Sequence, residues 1–455
     1  MALGRELAGF TAGTAFEALP ADAVIQAKRA ILDTLGVALA GCREDAARIV
    51  AERADETGGA PQATVLGRPF RAPAAEAALI NGTAAHALDF DDVNYSMRGH
   101  PSAPLLPAVL ATAEVTGAGG ADVILAFVLG VEVETKLGRV MGGRHYSLGW
   151  HPTSTLGSIG AAAACAKLRG LDAERALVAL GIAASMAGGL RANFGTMTKP
   201  LHAGLAARNG VQAAELAACG FTAAGDSLES GDGFVAAFLG ERPPGEPRLD
   251  PLGAPYDIVS PGIAQKLYPC CYATHRAVDA ALELSPDIDA AAATSVAISV
   301  SRGTLTPLIE RRPRTGLEGK FNLDYCVATA LLDGAVRAAS FADAAVLRPS
   351  ILRLLDVTRV SEDQEPQANP LAAWAEVSIG MSDGSSRSVR VDVPKGDPRR
   401  PLTWDEITGK FRDCASAVLS SDDADAVIRL VARLEELEDI RALTGALAGR
   451  GSRVA

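Results

Sequence analysis

The chain has 455 residues, room for two or three domains at ~150 residues each. Hydrophobic residues make up 48% and charged residues 21%, a globular balance that excludes wholesale disorder. Lys and Arg total 43 against 54 Asp and Glu, and the net charge of −11 argues against nucleic acid held by the overall field.

Residues 21–41, ADAVIQAKRAILDTLGVALAG, place Val24, Ile31, Leu35 and Ala38 at helical spacing, with Gly41 as a stop. Further helical runs are predicted near 74–88, 103–116, 121–141, 154–169, 173–189 and 202–219, each punctuated by Gly or Pro. They are rich in Ala on several faces, and aromatics are only 5% of the chain, which suits helices packed closely through small side chains. The pattern changes after about residue 266. SVAISVS (295–301) alternates like a half-buried strand, and residues 376–393 read as two strands joined by a turn at Asp383-Gly384. Helical runs are predicted at 321–334 and 342–356, and helical pattern returns over 404–448. The expected fold is mainly α with a second α+β domain: a helical bundle over 1–265 and 401–455, and a smaller α+β lid over 266–400.

No run of ~18 uncharged apolar residues is present, so no membrane span is expected. The first residues lack the apolar stretch of a secretion signal. The seven cysteines are scattered without a CxxC pair, which fits free thiols in a reducing cytoplasm. The six histidines form no HxxxH pair, no GxGxxG follows a strand, and neither a P-loop nor GxSxG occurs. The expectation is chemistry without dinucleotide, nucleoside triphosphate, metal or other cofactor.

Five polar segments remain. HALDFDDVNYSMRGHPSAP (86–104) gathers Asp89, Asp91, Asp92, Arg98 and His100 around a turn, with Ser102 able to cap the next helix. GRHYSLGWHPTSTLG (143–157) puts His151 at a helix start, where the positive end of the helix favours an anion and a neutral imidazole. NFGTMTKPLHAGLAARNG (193–210) sets Lys199-Pro200 between two small-residue helices. KLYPCCYATHRAVDAAL (266–282) brings Lys266 and His275 to the domain junction, a common place for ligands. RTGLEGKFNLDYCVATALLDG (314–334) contributes Lys320 and Tyr325. Each alone also reads as a solvated loop, an exposed lysine or a core aromatic. Together they suggest a pocket in which lysines hold carboxylates while a His, Lys or Tyr removes a neighbouring proton, with cationic groups stabilising the enolate. Elimination, decarboxylation and epimerisation of a polycarboxylic acid all fit.

The same segments, in the same order, resemble the MmgE/PrpD family over nearly the whole chain. HALDFDD, GHPSAP, GWHPTSTLG, TKPLHAG, KLYPCCYATH and the GKF…Y…LLDG block carry the likeness. The resemblance implies a helical bundle with an α+β lid, usually as a homodimer, and a cofactor-free site between them acting on a small di- or tricarboxylate. It places catalytic positions at Asp89, His100, His151, Lys199, Lys266 and Tyr325. Asp92, Arg98, His275 and Lys320 are expected to contact substrate. His151 is the candidate base, His100 and Tyr325 proton donors or relays, Lys199 and Lys266 carboxylate binders, and Asp89 an orienting group or acid. Two positions depart from the decarboxylases of the family: Val93 stands where they have threonine, and Cys271 where they have histidine. The strings MRGHPS, NFGTMTKP and RTGLEGKF look most like the iminodisuccinate epimerase branch. The expectation is therefore a lyase or isomerase, epimerising or dehydrating such an acid; the rival is a non-catalytic carboxylate-binding scaffold on the same fold.

Overall fold

A computed structural model describes residues 2–243, 245–365 and 372–449. The helical body is built from α1 (Leu3–Gly13), α2 (Ala21–Gly41) and α3 (Asp45–Thr57). A two-stranded antiparallel pair follows, β1 (Ala63–Thr64) with β2 (Arg71–Ala72). Then come α4 (Ala74–Ala87), α5 (Ser102–Thr116), α6 (Gly120–Ser147), α7 (Pro152–Leu168), α8 (Ala173–Met186), α9 (Thr198–Ala218) and α10 (Phe234–Leu239).

Small residues set how closely these helices approach. A Cβ added to Gly82 on α4 would lie 2.8 Å from the Gly204 Cα on α9, and one on Gly204 would lie 2.3 Å from the Leu79 carbonyl oxygen. Gly210 meets Ala161 on α7 in the same way, a Cβ there lying 2.6 Å from the Ala161 carbonyl carbon. The backbones of α4, α7 and α9 therefore touch, and their ends converge.

The lid holds α11 (His275–Leu284), β3 (Ala293–Val300), α12 (Gly316–Gly319), α13 (Leu323–Asp333), α14 (Asp343–Val346), α15 (Pro349–Val357), β4 (Thr358–Glu362), β5 (Ala375–Met381) and β6 (Ser386–Val391). The sheet order is β4-β3-β5-β6, with β3 and β4 parallel and the other pairs antiparallel. Val296, Ile298 and Val300 alternate inward on β3, opposite Ile379, Val377 and Ala375. That face buries against apolar residues of α11, α13 and α15, giving the lid its own core.

The chain then returns to the body as α16 (Trp404–Ala415), α17 (Ser421–Ala432) and α18 (Arg441–Ala446). α16 starts at a reciprocal Thr403–Glu406 cap, and its Ile407 and Phe411 join Leu32 and Leu35 of α2 in the main core. Of the bundle expected over 401–455, residues 450–455 lie outside the described residues. Among the described residues no helix is long and apolar enough to cross a membrane.

One local expectation changes. Lys199-Pro200 does not separate two helices; both residues lie in the first turn of α9. A first-turn proline costs no hydrogen bond, because its N–H would have lacked an intrahelical partner anyway.

Candidate active site

Asp89 follows the end of α4 with φ 52°, a left-handed conformation that aspartate tolerates better than most residues. This turn brings its carboxylate to two lysines from distant segments. Lys199, in the first turn of α9, forms an ion pair with Oδ1. The Lys266 Nζ lies 3.3 Å from Oδ2 and donates to the Asp89 main-chain oxygen at 2.7 Å. All three side chains are buried. Burial pushes the Asp89 carboxyl up, yet Lys199 and Lys266 hold it well below the usual carboxylate range. For Lys266 burial works toward neutrality, and Asp89 with Asp91 outweighs it, so the ammonium form is favoured.

Four imidazoles stand beside this group. His86 ends α4, His100 precedes α5, His151 caps α7, and His202 lies one turn after Lys199 on α9. Ring centroids are 4.6 Å apart for His86–His100, 5.6 Å for His86–His151 and 5.3 Å for His151–His202. The Nδ1 atoms of His151 and His202 are 3.1 Å apart, one donating to the other. Burial, reinforced by neighbouring imidazoles and Lys199, drives the His151 ring well below its ordinary value. Burial brings His86 down to about 3 and, with Lys199, His202 down to about 4. His100 is lowered too, chiefly by burial. The rings are thus neutral near pH 7 and able to accept protons.

Phe194 and Phe321 complete the wall. The Lys199 Nζ lies 5.4 Å from the Phe194 ring centre and 5.0 Å from that of Phe321, one ring from the body and one from the lid. Cys271 also borders the group: burial, then Asp89, pushes its thiol up to about 12, so it is a neutral SH.

Asp89, His100, His151, Lys199 and Lys266 therefore meet, as the polar segments suggested. Lys320 adjoins them, but its Nζ donates to the main-chain oxygens of Leu88 at 2.7 Å and Pro269 at 2.9 Å. Burial lowers that ammonium to about 8. Four expected contacts lie elsewhere. The Tyr325 ring packs on Phe341 in the lid core and its hydroxyl donates to the Ser340 carbonyl oxygen, so it does not reach the histidines. Arg98 is exposed and lies over Gly143 of α6. His275 sits between Tyr268 and Tyr272, its Nε2 bonded at 3.3 Å to the Cys270 carbonyl oxygen. Asp92 turns its carboxyl to the backbone N–H and hydroxyl of Ser102, so Asp92 rather than Ser102 caps α5.

His86, His202, Phe194 and Phe321 are not singled out by the sequence, and Asp91 is gathered there only with the acidic turn. The signal for His202 was its i, i+3 relation to Lys199, which puts both on one helix face. No comparable local signal marks the two phenylalanines. His86, Asp89, Asp91 and His100 each offer one ligand atom within 4.8 Å of the others, the geometry of a candidate cation group. Asp91 Oδ2 lies within ion-pair distance of both histidines and Asp89 is paired with two lysines, while His86 Nε2 and Asp91 Oδ1 are buried without a hydrogen-bond partner. A cavity of about 630 Å³ opens beside the cluster, lined by Leu88, Met197, Pro200, Lys320 and Phe341 among others.

The MmgE/PrpD N-terminal domain matches residues 5–247, and the MmgE/PrpD C-terminal domain matches residues 268–436. The chain is 34% identical over 465 residues to cis-aconitate decarboxylase of Mus musculus, covering 98% of this chain and 93% of that protein. It is 34% identical over 450 residues to the Homo sapiens enzyme of the same name, covering 94% and 91%. To cis-aconitate decarboxylase of Aspergillus terreus (strain NIH 2624 / FGSC A1156) it is 31% identical over 467 residues, covering 96% and 94%.

Proposed function

The chain belongs to the MmgE/PrpD family, and from that premise we propose that it is a lyase acting on a small tricarboxylate through a carbanion next to a carboxylate. The observation that carries this reading is the pair of buried lysines on Asp89 beside four neutral imidazoles. Lys199 and Lys266 bind substrate carboxylates. As charge develops on carbon it spreads into the adjacent carboxylate, where fixed ammonium groups in a dry site stabilise it. His151 takes or returns the proton, with His202 behind it, and His100 is the second proton-transfer group. Asp89 favours the charged form of Lys266 and aims both lysines.

The relatives' name makes cis-aconitate the first acid to test. In that case the C–C bond to one carboxylate breaks, CO2 leaves, and the electron pair left on the carbon skeleton takes a proton. Val93 and the neutral Cys271 thiol, at positions where the family resemblance implies threonine and histidine in decarboxylases, favour a second reading. In it the α-proton leaves to a histidine and either water is eliminated or the proton returns on the other face, as for a methylcitrate-like or iminodisuccinate-like acid. His100 and His151, with centroids 6.5 Å apart, supply the two groups that epimerisation needs. The expected homodimer and cytoplasmic setting belong to the same proposal.

The test is conversion of cis-aconitate, methylcitrate, citrate and iminodisuccinate by the purified chain, followed by NMR. His151→Ala is expected to lower turnover by at least ~100-fold with an unchanged fold. A folded parent that converts none of these acids yet binds them would favour the scaffold reading.

A further inference from the structure

His86 ends α4 and His100 precedes α5, and the Nδ1 atoms of both lie close to one carboxylate oxygen. The distances to Asp91 Oδ2 are 2.8 Å for His86 and 3.2 Å for His100. The His100 Nδ1 also lies 2.8 Å from the Asp92 main-chain oxygen. A main-chain carbonyl only accepts, so the proton of a neutral His100 sits on Nδ1. Burial pushes the Asp91 carboxyl up, but His100 and His86 hold it well below the usual range. An ionised carboxylate also only accepts, so His86 carries its proton on Nδ1 as well. A neutral imidazole has one N–H, and both Nε2 atoms are left bare. His86 Nε2 is buried without a hydrogen-bond partner, and His100 Nε2 is 3.9 Å from Asp89 Oδ1, beyond hydrogen-bond reach.

We propose that Asp91 is a positioning residue of the site: its Oδ2 fixes the Nδ1–H tautomer on His86 and, together with the Asp92 main-chain oxygen, on His100, and so makes the His100 Nε2 a standing proton acceptor. The proposal deepens the lyase reading and rests on it for the role of the proton. As the second proton-transfer group beside His151, His100 accepts a proton at Nε2 and gives it back from the same nitrogen, while the Asp92 main-chain oxygen holds its Nδ1–H and Asp91 stabilises the imidazolium. Asp91 need not touch substrate. His100 is the least buried of these groups, its side chain 13% exposed against 0% for His86 and Asp91, so it meets an incoming acid first.

The test reads tautomers directly. Two-bond 1H–15N correlation on the full chain with 15N-labelled histidine separates Nδ1–H from Nε2–H rings, with His86→Gln and His100→Gln assigning the signals. Near pH 7 both rings are expected in the Nδ1–H form. Asp91→Asn keeps the shape but offers one acceptor and one donor, so at least one ring is expected to switch to Nε2–H. With it kcat should fall by ~100-fold or more, and KM should stay within about threefold because the lysines are untouched. An Nε2–H His100 in the parent would overturn the proposal, as would an Asp91→Asn variant with both tautomers and kcat unchanged. If that variant fails to fold, the parent spectrum alone decides. If no acid is turned over, the tautomer result still stands and the lyase reading alone fails.

Discussion

Five side chains from four parts of the sequence meet because each has a backbone reason to be there. Asp89 is turned inward by its left-handed φ, His151 by its place as the cap of α7, and Lys199 by the first turn of α9. Charged residues in polar segments were legible because a buried Lys or Asp needs a partner, and the segments supplied both signs. Tyr325 shows the opposite case: a tyrosine suits a core as well as a site, and here its ring packs in the lid core. Phe321, four residues earlier, is the lid aromatic that reaches Lys199. Tyr325→Phe is accordingly expected to keep kcat within about threefold and to cost about 1 kcal/mol of stability for the lost bond to Ser340. Steady-state kinetics and urea melts check this, and a hundredfold fall in kcat would restore Tyr325 to the site.

At the scale of elements, α4 and α9 carry the site's geometry. His86 ends one helix, Lys199 and His202 begin the other, and Gly82 and Gly204 let the two backbones touch. In Gly204→Ala the new methyl would lie 2.3 Å from the Leu79 carbonyl oxygen, so the helices must part. The expected result is a loss of about 1–3 kcal/mol together with a fall in kcat, read by melting and kinetics on the same sample. The start of α5 gives a pH prediction. Burial pushes the Asp92 carboxyl up to about 8, well above its ordinary 3.8. The unfolded chain releases that proton earlier, so Asp92 weakens the fold progressively as pH rises from about 4 to about 8. Asp92→Asn should flatten the decline, seen as a smaller drop in urea midpoint between pH 5.5 and pH 8. The sequence showed the long helices, β3 and the β5–β6 hairpin because their periodicity is clean. It did not show β4, whose TRVSE mixes polar and apolar residues and whose parallel partner, β3, lies far off in the chain.

For the whole molecule, the two cores are locked together around the site. Lys410 on α16 is paired at 2.7 Å with Asp33 on α2. Its Nζ also donates to the main-chain oxygens of Phe90 at 2.9 Å and Lys266 at 2.8 Å. One buried lysine thus ties the C-terminal return of the chain to two of the four segments that bear the site. This is a long-range relation that no local pattern encodes. Burial also sets the acid response. His86 at about 3 lies below its ordinary 6.5, so stability is present above pH 6.5 and is lost as pH falls toward 3. Asp89 and Asp91, held below the usual carboxylate range, add a loss of the same sign at still lower pH. The central claim is that the cationic groups in this closed space make carbon next to a carboxylate exchange its charge and proton. The most direct test is deuterium placement in D2O, comparing the parent with Lys266→Met. The parent should put deuterium on carbon adjacent to a carboxylate in at least one of the four acids, and a folded Lys266→Met should do so at least ~100-fold more slowly. A folded parent that places none, or a Lys266→Met variant exchanging at the parent rate, would contradict the account.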